Sequence, residues 1–254
     1  MGGAILRGVI DRKVAPAASI RVNDRDKGKA GSLAAAYGCL QADMPSLVRS
    51  SDHLIIAVKP QDSEGLLREV SGYIDTQTVL SVMAGIKIDA IKDILGKDVP
   101  VARAMPNMAA VMGESMTCVS FSDRMARKNE VRDILSGIGR VMEIDEALLD
   151  AVTALSGSGP AYLFFLADAM ISAGEKIGLE PGAAKELVVQ TLYGASAILR
   201  NEADVSAGTL IRAVASRGGT TEAALSVFEQ KGLRKIVETA VRKAKERSEE
   251  LSRG

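Results

Sequence analysis

His53-Leu54-Ile55-Ile56-Ala57-Val58-Lys59-Pro60 is the stretch on which the fold turns. Five apolar residues run without interruption from Leu54 to Val58, the pattern of a strand buried on both faces. Lys59-Pro60 ends it, and the sequence turns helical over 61–70. Thr78-Val79-Leu80-Ser81-Val82 then repeats the strand pattern. Upstream, Ser19 to Asn23 reads as a short strand, Lys27 to Tyr37 as a helix stopped by Gly38, and Cys39 to Ala42 as a weak strand. Asp43 is placed to cap a further helix with Pro45 in its first turn. Downstream, strands are expected over 99–104, 116–120 and 140–144. Strands alternating with helices predict an α/β fold, a doubly wound and mainly parallel sheet with helices on both faces.

The pattern changes near residue 150. Beyond it no period-2 segment appears, and apolar residues recur at helical spacing: Tyr162, Phe165, Leu166 and Ala169, then Leu187, Val188, Thr191 and Leu192, then Leu233, Ile236, Val237 and Ala240. Two domains are therefore expected, 1–149 and 150–254. The first long helix of the second is apolar nearly all round through Leu163 and Phe164. A small helical domain has little interior in which to bury such a helix. Packing against a second copy of the chain is the expectation, and burial against its own sheet domain the alternative.

Composition narrows the function. The chain has 254 residues, 47% hydrophobic and 25% charged, with 32 basic and 32 acidic side chains for a formal net charge of +0. A nucleic-acid partner is not expected without a basic excess. No uninterrupted apolar run approaches the ~20 residues of a membrane span, and the N-terminus lacks the features of a signal peptide. Cys39 and Cys118 have no metal spacing and read as packed thiols of a cytoplasmic protein. His53 is the single histidine, so imidazole triads and His-rich metal sites are disfavoured; no metal is expected.

A doubly wound sheet binds its ligand at the carboxyl ends of its strands. Candidate cofactor residues therefore follow each strand. Met1-Gly2 reads as the start of a helix whose N-terminal end would face a pyrophosphate. After the strand at 19–23, Asn23-Asp24-Arg25 offers two chemistries: Asp24 to a ribose hydroxyl pair, or Arg25 with Lys27 to a 2′-phosphate. Ala57-Val58-Lys59-Pro60 forms a small open ledge, and Met83-Ala84-Gly85 repeats it. Pro106-Asn107 closes the row, with the Asn107 amide as a hydrogen-bonding group.

In the helical half, Leu155-Ser156-Gly157-Ser158-Gly159-Pro160-Ala161-Tyr162 and Ala215-Ser216-Arg217-Gly218-Gly219-Thr220-Thr221-Glu222-Ala223-Ala224-Leu225 are glycine turns that each feed a helix. Together with Val58-Lys59-Pro60-Gln61 and Met105-Pro106-Asn107, they resemble pyrroline-5-carboxylate reductase, in order and over essentially the whole chain. The resemblance implies a Rossmann-like dinucleotide-binding domain followed by an all-α dimerisation domain. It implies reduction of 1-pyrroline-5-carboxylate to L-proline with hydride from NADPH or NADH. A protonated C=N is already electrophilic, so this chemistry needs neither metal nor histidine.

Ser216, Gly218, Gly219 and Thr220 would hold the substrate carboxylate, and Thr221 would hydrogen-bond the ring nitrogen and help supply its proton. Read without the resemblance, Thr220 or Thr221 equally suits a helix cap. The resemblance also implies a homodimer interlocked through the helices, or a ring of dimers, with each site between one protomer's sheet and its partner's helices. Several positions depart from the pattern. Arg217 stands where Pro is usual, and Met108-Ala109 where a second Pro often follows. Asp168 replaces a common Glu. The family begins with a strand and a Gly-x-Gly-x-Met-Gly turn, whose internal Met matches Met1, so about ten residues are expected to be missing. The competing readings are a related imine or hydroxy-acid reductase, and a dimeric scaffold that no longer binds dinucleotide.

Overall fold

The computed structural model describes residues 1–123 and 125–252. The chain divides into two compact units, Met1–Pro160 with the segment from Ala244 onward, and Ala161–Lys243. The first unit thus runs past the end of the last strand and takes back the end of the chain. The expected division at 149/150 marks where strands stop.

In the first unit, α1 (Gly2–Asp11) precedes β1 (Arg21–Val22), α2 (Lys27–Tyr37), β2 (Leu40–Gln41), α3 (Met44–Arg49), β3 (His53–Ile56) and α4 (Ser63–Ser71). Next come β4 (Thr78–Ser81), α5 (Ile88–Leu95), β5 (Val101–Met105), β6 (Ser115–Phe121), α6 (Lys128–Ser136) and β7 (Gly139–Glu143). The short α7 (Leu149–Val152) runs into a π turn at Thr153–Gly157. The expected helix stops are present: Gly38 ends α2 in the left-handed region at φ 68°, and Asp43 accepts the Ser46 N–H at 2.8 Å to start α3.

Strands β3, β4 and β5 are parallel, β6 is antiparallel to β5, and β7 is parallel to β6. Strands β1 and β2 form a separate parallel pair. Among the described residues no strand joins β1 to β3. Helix α1 touches both sides of this gap, because Gly3 faces Leu33 of α2 and Gly2 faces Ala57 just beyond β3.

Neighbouring residues on the central strands feed opposite cores. Val79 and Val101 pack with Leu67 of α4 and Ile91 of α5. Leu80 and Ala102 pack with Val131 and Leu135 of α6. This is how a continuous apolar run serves a sheet covered on both faces. The run in β3 behaves differently from expectation. Leu54 and Ile56 are buried, but Ile55 is 39% exposed. Strand β3 ends its sheet, and the helical layer on Ile55's side does not close over it.

The second unit holds most of α8 (Gly159–Lys176), then α9 (Pro181–Asn201), α10 (Ala207–Val214), α11 (Thr220–Gln230) and the first half of α12 (Leu233–Leu251). Ala184 and Val188 are its buried hydrophobics, whereas Phe164 and Phe165 of α8 and Tyr193 of α9 stand well exposed. Within Glu146–Lys176 an 18-residue window is apolar enough to cross a membrane, by length and composition only.

Candidate functional site

The first turn of α1 abuts the carboxyl end of β3. A Cβ placed on Gly2 would stand 3.3 Å from the Ala57 Cβ. The Ala4 and Ile5 N–H groups donate to the Met1 carbonyl at 2.9 and 3.1 Å. The earlier N–H groups of Gly2 and Gly3 are those a helix leaves for an outside acceptor.

After β1, the Asn23 amide nitrogen donates to the Ala42 carbonyl at 2.6 Å and ties this turn to the end of β2. Asp24 is already engaged: it accepts from Lys29 Nζ at 2.7 Å and from the Asp26 N–H at 3.0 Å. The Lys29 hydrogen bond, then the Asp26 N–H, hold its carboxyl below the usual carboxylate value. Arg25 keeps its side chain 90% exposed, with Asp62 at 3.5 Å as an ion-pair partner. This pair links the end of β1 to the segment after β3, where Val58 and Lys59 are exposed and Pro60 opens a 3₁₀ turn through Asp62. Of the two chemistries open at this turn, the local bonding favours the phosphate one. The Asp24 carboxylate is held by two donors, whereas the exposed Arg25 side chain has only the longer 3.5 Å pair with Asp62 to exchange.

The ledge after β4 has a neighbour the sequence did not indicate. Ala84 is half-buried, but Gly85 is buried at φ +78°, and a Cβ there would meet the Leu251 carbonyl oxygen at 3.1 Å. The end of α12 therefore covers the face of Gly85 expected to lie open. Asp150 fixes this end, since Ser248 and Ser252 both donate to its Oδ1, at 2.6 and 3.1 Å.

Pro106 is buried, and Asn107 is held from three sides. Its N–H donates to Ser115 Oγ at 3.0 Å, its Oδ1 accepts the Ala109 N–H at 3.0 Å, and its Nδ2 donates to Ser156 Oγ at 3.3 Å. The Ala109 contact fixes which way the amide faces. A Cβ on Gly157 would strike the Met105 side chain at 2.6 Å. The Met105-Pro106-Asn107 turn and the Ser156-Gly157 turn are thus one cluster. Ser156 was not among the expected site residues. Its signal in the sequence is the glycine turn itself, whose pattern marks the backbone and not the serine side chain.

In the second unit, Gly218 sits at φ +74° with no atom within 4 Å of a Cβ placed there. Glycine takes that conformation without penalty and leaves the turn open. Gly219 caps α11 and spends its own N–H on the Ser216 carbonyl at 3.0 Å. The first-turn donors that α11 leaves for an outside acceptor are therefore the Thr220, Thr221 and Glu222 N–H groups, since the helix ladder begins with Ala223. The turn opens on a cavity of about 590 Å³ lined by Ala215, Gly218, Gly219 and Glu222 among others. Thr221 is half-buried and Thr220 exposed. The Glu222 carboxylate accepts the Gly218 N–H at 2.5 Å, so one donor expected for the substrate already holds an internal acid. Ser216, Gly218, Gly219, Thr220 and Thr221 share this one turn. The cofactor candidates all lie in the other unit.

The family described as "Pyrroline-5-carboxylate reductase dimerisation" matches residues 146–251, and "NADP oxidoreductase coenzyme F420-dependent" matches 1–85. The chain is 33% identical to the pyrroline-5-carboxylate reductase of Staphylococcus saprophyticus, over 99% of this chain and 94% of that protein. Its fold matches a pyrroline-5-carboxylate reductase structure from Coxiella burnetii with a TM-score of 0.92 at 29% identity, covering 99% of this chain and 94% of the other. It matches the NADP-bound pyrroline carboxylate reductase of Plasmodium falciparum with a TM-score of 0.86 at 25% identity, again over 99% and 94%. A third of the residues are thus shared along nearly the whole length with a named reductase, on the same fold: the chain belongs to the pyrroline-5-carboxylate reductase family.

Proposed function

We propose that this chain reduces 1-pyrroline-5-carboxylate to L-proline with NADPH, the last step of proline biosynthesis. The observation that carries the reading is the Gly218-Gly219 turn. It opens a shallow, open cavity bordered by Gly218, Gly219 and Glu222, and it leads directly into the first turn of α11, where Thr220 is exposed and Thr221 half-buried.

The residues of the sheet unit fit a dinucleotide phosphate. Gly2 and Gly3 at the start of α1 would meet the pyrophosphate, and Arg25 would pair with a 2′-phosphate. Asn23 and Asp24 shape that turn through their bonds to Ala42 and Lys29. Ala57, Val58, Lys59 and Pro60 form the ledge beside it, and Ala84, Pro106 and Asn107 the far end; Gly85, covered by Leu251, takes no part. NADPH, when bound, supplies the hydride.

The helical unit's residues act on the substrate. The Thr220 and Thr221 N–H groups and the positive end of α11 hold the carboxylate, together with Ser216 and the Gly218 N–H. Thr221 Oγ1 accepts the iminium N–H and so favours the protonated, electrophilic ring. One hydride and one proton per C=N give proline, and no side chain needs to change its redox state. Orientation is the chain's main contribution.

We also propose a homodimer in the cytoplasm. The apolar surface of α8 and α9 supports the first, because a single chain leaves it uncovered. The two buried cysteines with no disulfide support the second.

The test is isotope transfer. NADPH deuterated at its hydride position is incubated with 1-pyrroline-5-carboxylate and the enzyme, and the product is read by NMR. Deuterium at C5 of L-proline is expected; proline without the label, or no proline, contradicts the reading.

A further inference from the structure

The Gly218 N–H presents a conflict inside the proposed substrate site. It is among the donors assigned to the substrate carboxylate, yet the Glu222 carboxylate accepts it at 2.5 Å. Glu222 is exposed and stands at the third position of α11, from which a side chain reaches back over the helix start as in a capping box. It also borders the cavity onto which the turn opens. Two carboxylates at one N–H repel each other and cannot both be accommodated.

Resting on the reading of this turn as the carboxylate site, we propose that Glu222 is an internal competitor for the substrate's carboxylate, and so sets the enzyme's apparent affinity for acid-bearing rings. Substrate binding turns Glu222 out into solvent and transfers the Gly218 N–H to the incoming acid. The cost is one charge-assisted hydrogen bond, and it falls on the Michaelis complex rather than on the chemical step. A ring without a carboxylate leaves Glu222 where it is. For such a ring the negative charge of Glu222 is a neutral or favourable neighbour to the iminium.

Steady-state kinetics of the wild type, Glu222→Gln and Glu222→Ala with 1-pyrroline-5-carboxylate and with 1-pyrroline test this. For 1-pyrroline-5-carboxylate, KM is expected to fall about three- to tenfold in Glu222→Ala, the fold-change equivalent to one modest hydrogen bond. Glu222→Gln is expected to lie between that value and the wild type, with kcat near its wild-type value in both. For 1-pyrroline, KM is expected to stay level or rise. An unchanged or raised KM for the acid in Glu222→Ala overturns the proposal, since a merely structural cap would loosen the turn and weaken binding. An equal fall in KM for both rings also overturns it. The underlying reading fails separately: a wild type that takes 1-pyrroline as readily as the acid has no carboxylate site at this turn.

Discussion

The two units bury their apolar residues in opposite ways. In the sheet unit, adjacent residues such as Val79 and Leu80 enter different cores and both reach 0% exposure. In the helical unit, Phe165 remains 78% exposed and Tyr193 71% exposed. Burying one such side chain contributes about 1.5–3 kcal/mol. The sheet unit collects that gain within one chain, and the helical unit leaves it to be collected on association. The same split runs through the proposed chemistry, with the cofactor candidates on the sheet unit and the proposed substrate turn on the helical one.

The largest effect is expected where the sheet unit has no slack. A Cβ on Gly8 of α1 would lie 2.3 Å from the Gly137 carbonyl oxygen, a backbone atom that cannot move aside. Gly8→Leu is expected to cost about 3 kcal/mol or more, read as a fall in Tm. An unchanged Tm would break the contrast between a tight unit and an open one. In the helical unit, Thr221→Ala is expected to lower kcat/KM for 1-pyrroline-5-carboxylate about 100-fold while the NADPH binding constant stays put. A loss confined to NADPH affinity would put Thr221 on the wrong ligand. Phe165→Glu is expected to weaken self-association by about 2 kcal/mol or more, the scale of an aromatic hot spot. Sedimentation would show monomers that keep their secondary structure. Unaltered association would mean that another face is covered.

Smaller effects sharpen the cofactor side. Arg25→Ala is expected to raise the KM for NADPH about tenfold and leave that for NADH nearly unchanged, because the exposed pair with Asp62 contributes little and the guanidinium would meet a 2′-phosphate that NADH lacks. An equal rise for both cofactors would remove the phosphate role. The smallest effect concerns Asp24, whose folded-state pKa is lowered, first by the Lys29 hydrogen bond and then by the Asp26 N–H. A lowered carboxyl stabilises the fold above its unfolded pKa and loses that contribution as the pH falls through the folded value. Denaturant melts at acid pH are expected to show this small loss in the wild type and its absence in Asp24→Asn. Identical acid profiles would show that the Lys29 pair contributes nothing to folding.

Much of this was legible in the sequence because it depends on local pattern. Gly38 and Asp43 stop and start helices through contacts within four residues. The buried run at Val79–Leu80 follows from continuity of apolar residues alone. Ile55 was misjudged because its exposure depends on what lies beside the strand, and no local pattern records that. The same holds at the site. Gly218-Gly219 was readable as an open turn, but the reach of Glu222 back to Gly218 is a side-chain choice that the sequence leaves free. Gly85 was read as an open ledge because the residue over it, Leu251, lies at the far end of the chain. Ser156 was passed over for a related reason: its partner, Asn107, is 49 residues away.

The most direct test of the central claim is a mass balance on the purified chain with NADPH and 1-pyrroline-5-carboxylate. Equal amounts of NADPH consumed and L-proline formed are predicted, with neither change when Thr221→Ala replaces the wild type at the same short reaction time. A folded, self-associated wild-type protein that binds NADPH yet forms no proline would contradict it.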